Sequence, residues 1–269
     1  GPAASALRLI AAGEAAVSAA ARTAEAHLVL VDAGVRGGDR LDLGRGVMAF
    51  RLADGTGDIT RGPAMGEETA RHAIETGVAL AIALADAGLD VLALGQVGPG
   101  GEIASGALIA ALTGASPQEI ASHVADESAI AGALAANAGA LRTAAGPGAA
   151  RLQDSGSHSI SVLAALGGLE IALQVGAILA AASVHIPVVL DDCGTWAAAL
   201  IAVRLAPAAA GYLIASHGGA RPGYRRALAA LELEPLFDLG LAHGEGTGAL
   251  LALPLLDAAA RVLVEVGRP

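Results

Sequence analysis

Four short apolar runs along the chain each end in a turn that is polar or contains glycine. They cover residues 27–32, 90–94, 187–191 and 212–216. Helical segments lie between these runs, which is the pattern of parallel strand–helix units. The sequence therefore predicts an α/β fold with a parallel sheet. In such a sheet the turns that follow the strands share the carboxyl edge, where ligands bind.

Six helices are predicted from apolar spacing and from start signals. They cover 13–26, 67–87, a short segment starting at Pro117, 168–183, 195–205 and 247–266. Ser116 is the expected N-cap of the short helix, and Pro254 is expected to bend the last one. The stretch 144–158 is rich in Gly, Ser and Ala, and we expect it to form a loop.

The chain shows no internal repeat and no linker long enough to separate independent domains. We therefore expect a single domain over residues 3–269. The opening pair, Gly1 and Pro2, resembles the remnant of a cleaved tag and is left out of that domain.

Composition indicates how the core is built. Of the 269 residues, 54% are hydrophobic but only 2% are aromatic, and 37 are Gly. The apolar content is thus mainly Ala, Leu, Val and Ile. Small residues let backbones approach closely, so the core is expected to consist of tightly packed helices and strands.

The charge balance excludes several function classes. There are 16 basic and 26 acidic residues, a formal net charge of −10, and every basic residue is Arg. A nucleic-acid binder needs a clustered basic face, which these scattered arginines do not provide. The absence of Lys also excludes a lysine Schiff base and a P-loop lysine.

Cysteine and histidine usage argues against disulfides and metals. Cys193 is the only cysteine, which fits a reducing compartment, and we expect a cytoplasmic protein. No His pair has the HxxxH spacing, so no metal site is expected. The most apolar stretch, 160–190, is interrupted by Glu170, Gln174 and Pro187, which argues against a membrane span.

The loop 95–101 (GQVGPGG) follows a predicted strand and precedes a helix. Its backbone N–H groups at Gly98, Gly100 and Gly101 are placed to cradle an anion. The loop matches neither the dinucleotide fingerprint nor the P-loop, so a plain tight turn is the alternative.

The segment 243–248 (HGEGTG) places Glu245 between two glycines, directly before a helix. Either Glu245 is a first-turn acid whose negative charge interacts favourably with the helix dipole, or it is a general base in a glycine-lined cleft. His217 and His243 lie in candidate site turns, where ligand contact and simple packing are both open. Cys193 follows two acids that should raise its thiol pKa, so a nucleophilic role is disfavoured.

Several segments, in order and at plausible spacing, resemble the nicotinate-nucleotide:dimethylbenzimidazole phosphoribosyltransferase family of cobalamin biosynthesis. The resemblance runs from about residue 13 to 266. Its motifs are 62–65 (GPAM), 166–172 (LGGLEIA), 186–191 (IPVVLD), 197–202 (AAALIA), 216–217 (SH), 233–236 (LEPL) and 244–249 (GEGTGA).

The resemblance implies a doubly wound, Rossmann-like parallel sheet flanked by helices, with a small helical subdomain, and a homodimer. It implies transfer of phosphoribosyl from a nicotinate-type nucleotide, with Glu245 as base and no cofactor. The residues expected to bind that small-molecule substrate are Gly98, Gly100, Gly101, Asp191, Ser216, His217, Gly218, Arg221, Gly244, Gly246, Thr247 and Gly248.

The chain departs from the family pattern in the glycine loop. Gln96 replaces an acid, and Glu102 and Ile103 replace hydroxyl residues. Arg221 stands where an acid is usual, and it either holds a phosphate or carboxylate or is simply solvated. The resemblance implies an amino-terminal region that helps form the benzimidazole pocket, and we expect this chain to begin after it.

These departures leave the reaction open. The acceptor is expected to differ from dimethylbenzimidazole and to be another heterocycle or water. With water as the acceptor, the enzyme would be an N-glycosidase. The alternative to an enzyme is a non-catalytic homologue, which binds a nucleotide or partners a second subunit.

Overall fold

The computed structural model describes residues 2–38, 42–44, 46–144 and 156–266. The helices are α1 (Pro2–Ala11), α2 (Ala16–Thr23), α3 (Glu67–Asp86), α4 (Gly101–Thr113), α5 (Pro117–Ile120), α6 (Val124–Ala136), α7 (Ala138–Ala144), α8 (Gly156–Leu166), α9 (Leu169–Ser183), α10 (Cys193–Leu205), α11 (Pro222–Leu231) and α12 (Thr247–Glu265). The strands are β1 (Leu30–Asp32), β2 (Val47–Ala49), β3 (Leu92–Ala93), β4 (Val188–Leu190) and β5 (Leu213–Ala215). A 3₁₀ helix, Pro207–Tyr212, precedes β5.

The predicted α/β fold and parallel sheet are confirmed. Strands β3, β4 and β5 form a parallel sheet in that order, with Val188 opposite both Leu92 and Leu213. The prediction of one common sheet is wrong for the first strand. β1 pairs in parallel with β2, whose short run of three residues gave no clear signal in the sequence.

Helix α9 lies at the centre of the packing. Its residues between Leu169 and Ala182 are almost all buried, which matches the apolar character of this stretch. It packs along α3 at glycines: a Cβ at Gly176 would overlap the Ile74 carbonyl oxygen, and a Cβ at Gly77 would lie 2.8 Å from the Leu173 carbonyl carbon. Small residues thus bring the two helix backbones into direct contact.

The predicted helices are found with small shifts at their ends. The exception is 13–26, of which only Ala16–Thr23 is helical. The short helix begins at Pro117 as predicted, and the Ser116 backbone N–H donates to Glu119 Oε2 at 2.8 Å. Pro254 lies inside the continuous α12.

The predicted loop 144–158 is only partly testable, because 145–155 lie outside the described residues. The prediction is wrong for 144, which ends α7, and for 156–158, which begin α8. Burial explains the start of α8, because Ser159, Val162 and Leu163 are buried and tertiary packing overrides the weak helix propensity of the sequence. Gly1 also lies outside the described residues, and Pro2 is the first residue of α1.

Two segments have the length and hydropathy of a membrane-spanning helix, 2–23 and 247–265, with 28% and 22% of their most apolar windows buried. The first is interrupted by a turn between α1 and α2. Neither α1 nor α2 alone has the roughly 20 residues needed to span a bilayer. The second begins at Thr247, and its first turn includes the buried residues Gly248, Ala249 and Leu250. The absence of a membrane partner stays a prediction.

We expect Gly176→Ala to lower the free energy of unfolding by about 1–3 kcal/mol, because the added methyl overlaps the α3 backbone. Gly132→Ala in α6 is the matched control. There the new Cβ would make an ordinary contact, 3.9 Å from Thr60 Cβ, and helix propensity favours Ala by up to ~1 kcal/mol. Urea unfolding followed by circular dichroism measures both, and equal stabilities of the two variants would contradict the close packing of α3 and α9.

Candidate functional site

A cleft of about 1590 Å³ runs along β3 and reaches the loop at the carboxyl end of that strand. The loop after β3, the start of α9 and the loop before α12 form its polar wall, with Gln96, Glu170, Gln174 and Glu245. Elements near the amino terminus, including the turn after β1, line the other side. Although β1 belongs to another sheet, its turn still reaches the cleft, as expected for a site at a sheet edge.

The loop that carries Glu245 has an uncommon backbone. Gly244, Glu245 and Gly246 all have positive φ, at 70°, 61° and 90°. Two of these positions suit glycine, but a left-handed glutamate costs roughly 1 kcal/mol or more. The Glu245 side chain is 28% exposed and borders the cleft. Residues held in such a conformation concentrate at functional sites, because the surrounding structure must enforce it.

Gly95 forms the support beneath this loop. A Cβ at residue 95 would lie 2.6 Å from the Glu245 carbonyl oxygen, so the backbones of the two loops touch directly. No side chain fits between them. The glycine that begins the loop after β3 is therefore required for the position of Glu245, independently of any anion binding.

The buried Asp191 ties the Glu245 loop to the end of β4. Its Oδ2 accepts the Gly246 N–H at 2.8 Å, and its Oδ1 accepts the Ala249 N–H at 3.0 Å. His217 Nε2 lies 3.3 Å from the same Oδ1. Since Asp191 is 0% exposed, these partners replace its hydration and hold the first turn of α12 in place.

His217 and Ser216 lie behind that carboxylate. His217 is 1% exposed, stacks on Phe237 and meets Tyr224 edge-on. Ser216 Oγ donates to the Leu190 carbonyl at 2.6 Å. The structure thus gives both residues packing partners inside the protein.

Asp192 caps α10 and also holds the loop after β3. Its Oδ1 accepts the Thr195 N–H at 3.1 Å, and its Oδ2 accepts the Gln96 N–H at 2.8 Å. Burial, together with the neighbouring charge of Asp191, raises the pKa of the Asp192 carboxyl to about 7. Burial also raises the pKa of the adjacent Cys193 thiol, with Asp192 as a further cause. This agrees with the expectation that Cys193 is not a nucleophile.

Gln96 connects two acidic groups of the site. Its Nε2 donates to Glu170 Oε1 at 2.7 Å, while its backbone N–H donates to Asp192. One turn further along α9, Gln174 Nε2 donates to the Gly95 carbonyl at 3.0 Å. Sequence reasoning did not place Gln96, Glu170 or Gln174 in the site. The signal was available, since Glu170 and Gln174 are four residues apart on an otherwise apolar helix.

Arg221 is partly exposed and is paired with a carboxylate. At 26% side-chain exposure it forms an ion pair with Glu102, in the first turn of α4. A substrate anion near this guanidinium would have to compete with the Glu102 carboxylate. Glu102 and Arg221, which both depart from the family pattern, therefore form an ion pair with each other.

Three of the sequence-predicted site residues line the cleft: Gly98, Glu245 and Gly246. Ten others do not line it, and their part in substrate binding stays a prediction: Gly100, Gly101, Asp191, Ser216, His217, Gly218, Arg221, Gly244, Thr247 and Gly248. A search of the described residues for clusters of metal-ligating side chains found none.

Known proteins share this architecture. A family model described as phosphoribosyltransferase matches residues 3–268. The chain belongs to this family. The nicotinate-nucleotide–dimethylbenzimidazole phosphoribosyltransferase of Chloroflexus aurantiacus is 39% identical over 256 residues, which cover 94% of this chain and 70% of that protein. The protein of the same name from Salinispora tropica is 41% identical over 214 residues, covering 79% and 57%.

A solved structure agrees with the sequence relatives. CobT from Thermus thermophilus is 34% identical, with a TM-score of 0.86 over 97% of this chain and 76% of that chain. The resemblance found in the sequence motifs is confirmed. This family member is an enzyme of the pentosyltransferase class.

We expect the stabilising contribution of Asp192 to depend on pH. Its raised pKa means that the folded state keeps a proton that the unfolded chain loses above about pH 4. The contribution is full below that pH and is lost as pH rises through about 7. Between pH 5 and pH 8 the stability of the wild type relative to Asp192→Asn should fall by ~2 kcal/mol.

Thermal unfolding of both proteins across this range measures the difference. The variant also loses a hydrogen-bond acceptor, which lowers its stability at every pH without changing the slope. Parallel stability profiles of the two proteins would show that Asp192 does not titrate in this range.

Proposed function

We propose that this enzyme transfers phosphoribosyl from a nicotinate- or nicotinamide-type nucleotide to a ring nitrogen of a heterocycle, with Glu245 as the general base. The observation that carries the proposal is the placement of Glu245. Its carboxylate borders the cleft on a strained loop that Gly95 supports and Asp191 anchors. The names of the relatives supply the donor and acceptor class.

The chemistry requires only one carboxylate. As the C1′–N bond of the nucleotide breaks, the bonding pair returns to the pyridinium nitrogen and the base leaves neutral, so no acid is needed there. The unprotonated ring nitrogen of the acceptor uses its lone pair to form the new bond to C1′, and the N–H nitrogen of the same ring gives its proton to Glu245, so the product ring is neutral. A positioned base of this kind contributes roughly 10²- to 10⁴-fold to the rate.

The environment of Glu245 suits that role. His243 Nε2 lies 3.8 Å from its Oε2, and the carboxylate sits just before the amino terminus of α12. That helix end favours the negative charge of the base before reaction. Because the side chain is part-exposed rather than sealed in the core, it can meet an acceptor that enters the cleft.

The start of α4 is the proposed place for the substrate phosphate. Gly98 lines the cleft, and Gly100 is the left-handed N-cap of this helix, so N–H groups there can face an anion. Glu102 opposes an anion at the same helix end, and its ion pair with Arg221 reduces that opposition. A phosphate that drew Arg221 toward itself would replace one carboxylate partner with another anion.

The acceptor is proposed to be a flat, weakly polar heterocycle. Leu80, Leu84, Leu169, Leu173 and Leu253 line the cleft, and among the described lining residues there is no Phe, Tyr or Trp. Such walls bury apolar ring surface without fixing one ring system by stacking. The volume exceeds the roughly 300–1,000 Å³ of a usual ligand pocket, so space alone does not restrict the acceptor to dimethylbenzimidazole.

We expect Glu245→Gln to lower turnover by roughly 10²- to 10⁴-fold while nucleotide affinity changes little, because the amide keeps the shape but cannot take the proton. Glu25→Gln is the matched control, since Glu25 also borders the cleft and has a left-handed φ of 53°. Mass spectrometry of base release from nicotinate and nicotinamide mononucleotides, with and without benzimidazole acceptors, measures turnover.

The same assay separates the alternatives. Base release that needs no acceptor would identify an N-glycosidase. Nucleotide binding without base release under any condition would identify a non-catalytic homologue, and full turnover by Glu245→Gln would remove that residue from the mechanism. The homodimer, the cytoplasmic location and the absence of nucleic-acid partners stay predictions.

A further inference from the structure

Two polar side chains interrupt the apolar surface of α9 where it meets the cleft. Glu170 and Gln174 are the only polar residues between Leu169 and Ala182. Four residues apart, they lie on one face of the helix and both line the cleft. A polar pair in such a helix is costly to bury and needs a reason.

The orientation of Glu170 is fixed by Gln96. The Gln96 backbone N–H is held by Asp192, and its side-chain amide packs closely against Gly101 and Gly194. The amide NH₂ group therefore faces Glu170, and its Nε2 donates to Oε1 at 2.7 Å. Since an amide NH₂ can only donate, this contact favours the ionised carboxylate.

No ion pair joins that carboxylate to an Arg or His among the described residues. Burial raises the pKa of Glu170, while hydrogen bonds from its own backbone N–H and from Gln96 oppose the shift. The arginines among the described cleft-lining residues are engaged elsewhere, Arg36 with the Thr56 carbonyl and Arg261 with Asp257. A bound positive charge would compensate Glu170 directly.

A second unsatisfied acceptor lies beside it. Gln174 is 5% exposed, and its Oε1 has no hydrogen-bond partner among the described residues. Its Nε2 bonds to Gly95, whose backbone supports Glu245. The Gln174 Oε1 is itself buried, so Glu170 is the acceptor of this wall that a ligand in the cleft can meet. The wall formed by Glu170, Gln96 and Gln174 adjoins the proposed base through Gly95.

We propose that Glu170, oriented by Gln96, binds the positively charged ring of the donor nucleotide and selects a cationic pyridinium over a neutral ring. The inference rests on the proposed function and assigns the residue that recognises the leaving base. It also has a chemical purpose, because the positive charge is what lets the base leave as a neutral molecule. The carboxylate acts mainly on binding, since the ring loses its charge as the bond breaks.

Oxidised and reduced nicotinamide mononucleotide test this directly, because they share ribose and phosphate but only the oxidised ring is cationic. Isothermal titration calorimetry gives the ratio of their dissociation constants without any turnover. We expect the wild type to bind the oxidised form at least about fivefold more tightly, the effect of one charge at contact distance. In Glu170→Gln the ratio should fall to about one.

Two further variants separate this role from general electrostatics and from structural damage. Asp90→Asn makes the same change at an exposed cleft-lining carboxylate at the other end of β3, and it should keep the wild-type ratio. The double variant Gln96→Glu/Glu170→Gln exchanges donor and acceptor while keeping one negative charge at this wall. It should restore most of the preference.

Four outcomes would overturn the proposal: no preference in the wild type, an unchanged ratio in Glu170→Gln, an equal loss in Asp90→Asn, or no recovery in the double variant. These outcomes differ from a failure of the proposed function. If neither nucleotide binds, both proposals fail, whereas equal binding of the two forms overturns only the role of Glu170.

Discussion

The contact between the Asp191 carboxylate and the start of α12 is the interaction on which the site depends. Asp191 follows the central strand of the three-stranded sheet, and it accepts N–H groups from both Gly246 and Ala249. A rigid strand end thereby holds a loop that comes more than fifty residues later in the chain. Together with the Gly95 backbone, this tie holds Glu245 in a left-handed conformation that its own side chain disfavours.

The small residues of the chain make that tie possible. Gly95 lets the loop after β3 touch the Glu245 backbone, and Gly248 leaves room for Asp191 and His217 beneath the helix. Gly176 and Gly77 do the same for α9 and α3, which carry the cleft wall on which Glu170 lies. The scarcity of large side chains is thus a requirement of backbone contact at the site as well as a property of the core.

The sequence was sufficient for the fold class and for locating a glycine-flanked acid at the cleft, because both depend on local patterns. Apolar runs that end in polar turns indicated the parallel strands, and an acid flanked by glycines before a helix indicated Glu245. It was not sufficient for β2, which forms by pairing with the distant β1, or for the start of α8, where tertiary burial decides the structure. Nor did it show that Arg221 and Glu102 are partners, since that requires knowing that two helix starts distant in sequence meet in space.

Burial sorts the four carboxylates of the site into different roles. Asp191 is buried and accepts hydrogen bonds from two backbone N–H groups, so its charge anchors the loop. Asp192 accepts two backbone N–H groups but sits beside Asp191, and its pKa rises toward neutrality. Glu170 accepts a hydrogen bond from the Gln96 side chain and borders the cleft, so a cationic ligand can still pair with its charge. Glu245 borders the cleft on the strained loop that Asp191 anchors. A general base must reach its substrate, so that proposed role suits a carboxylate at the cleft and not the sealed Asp191.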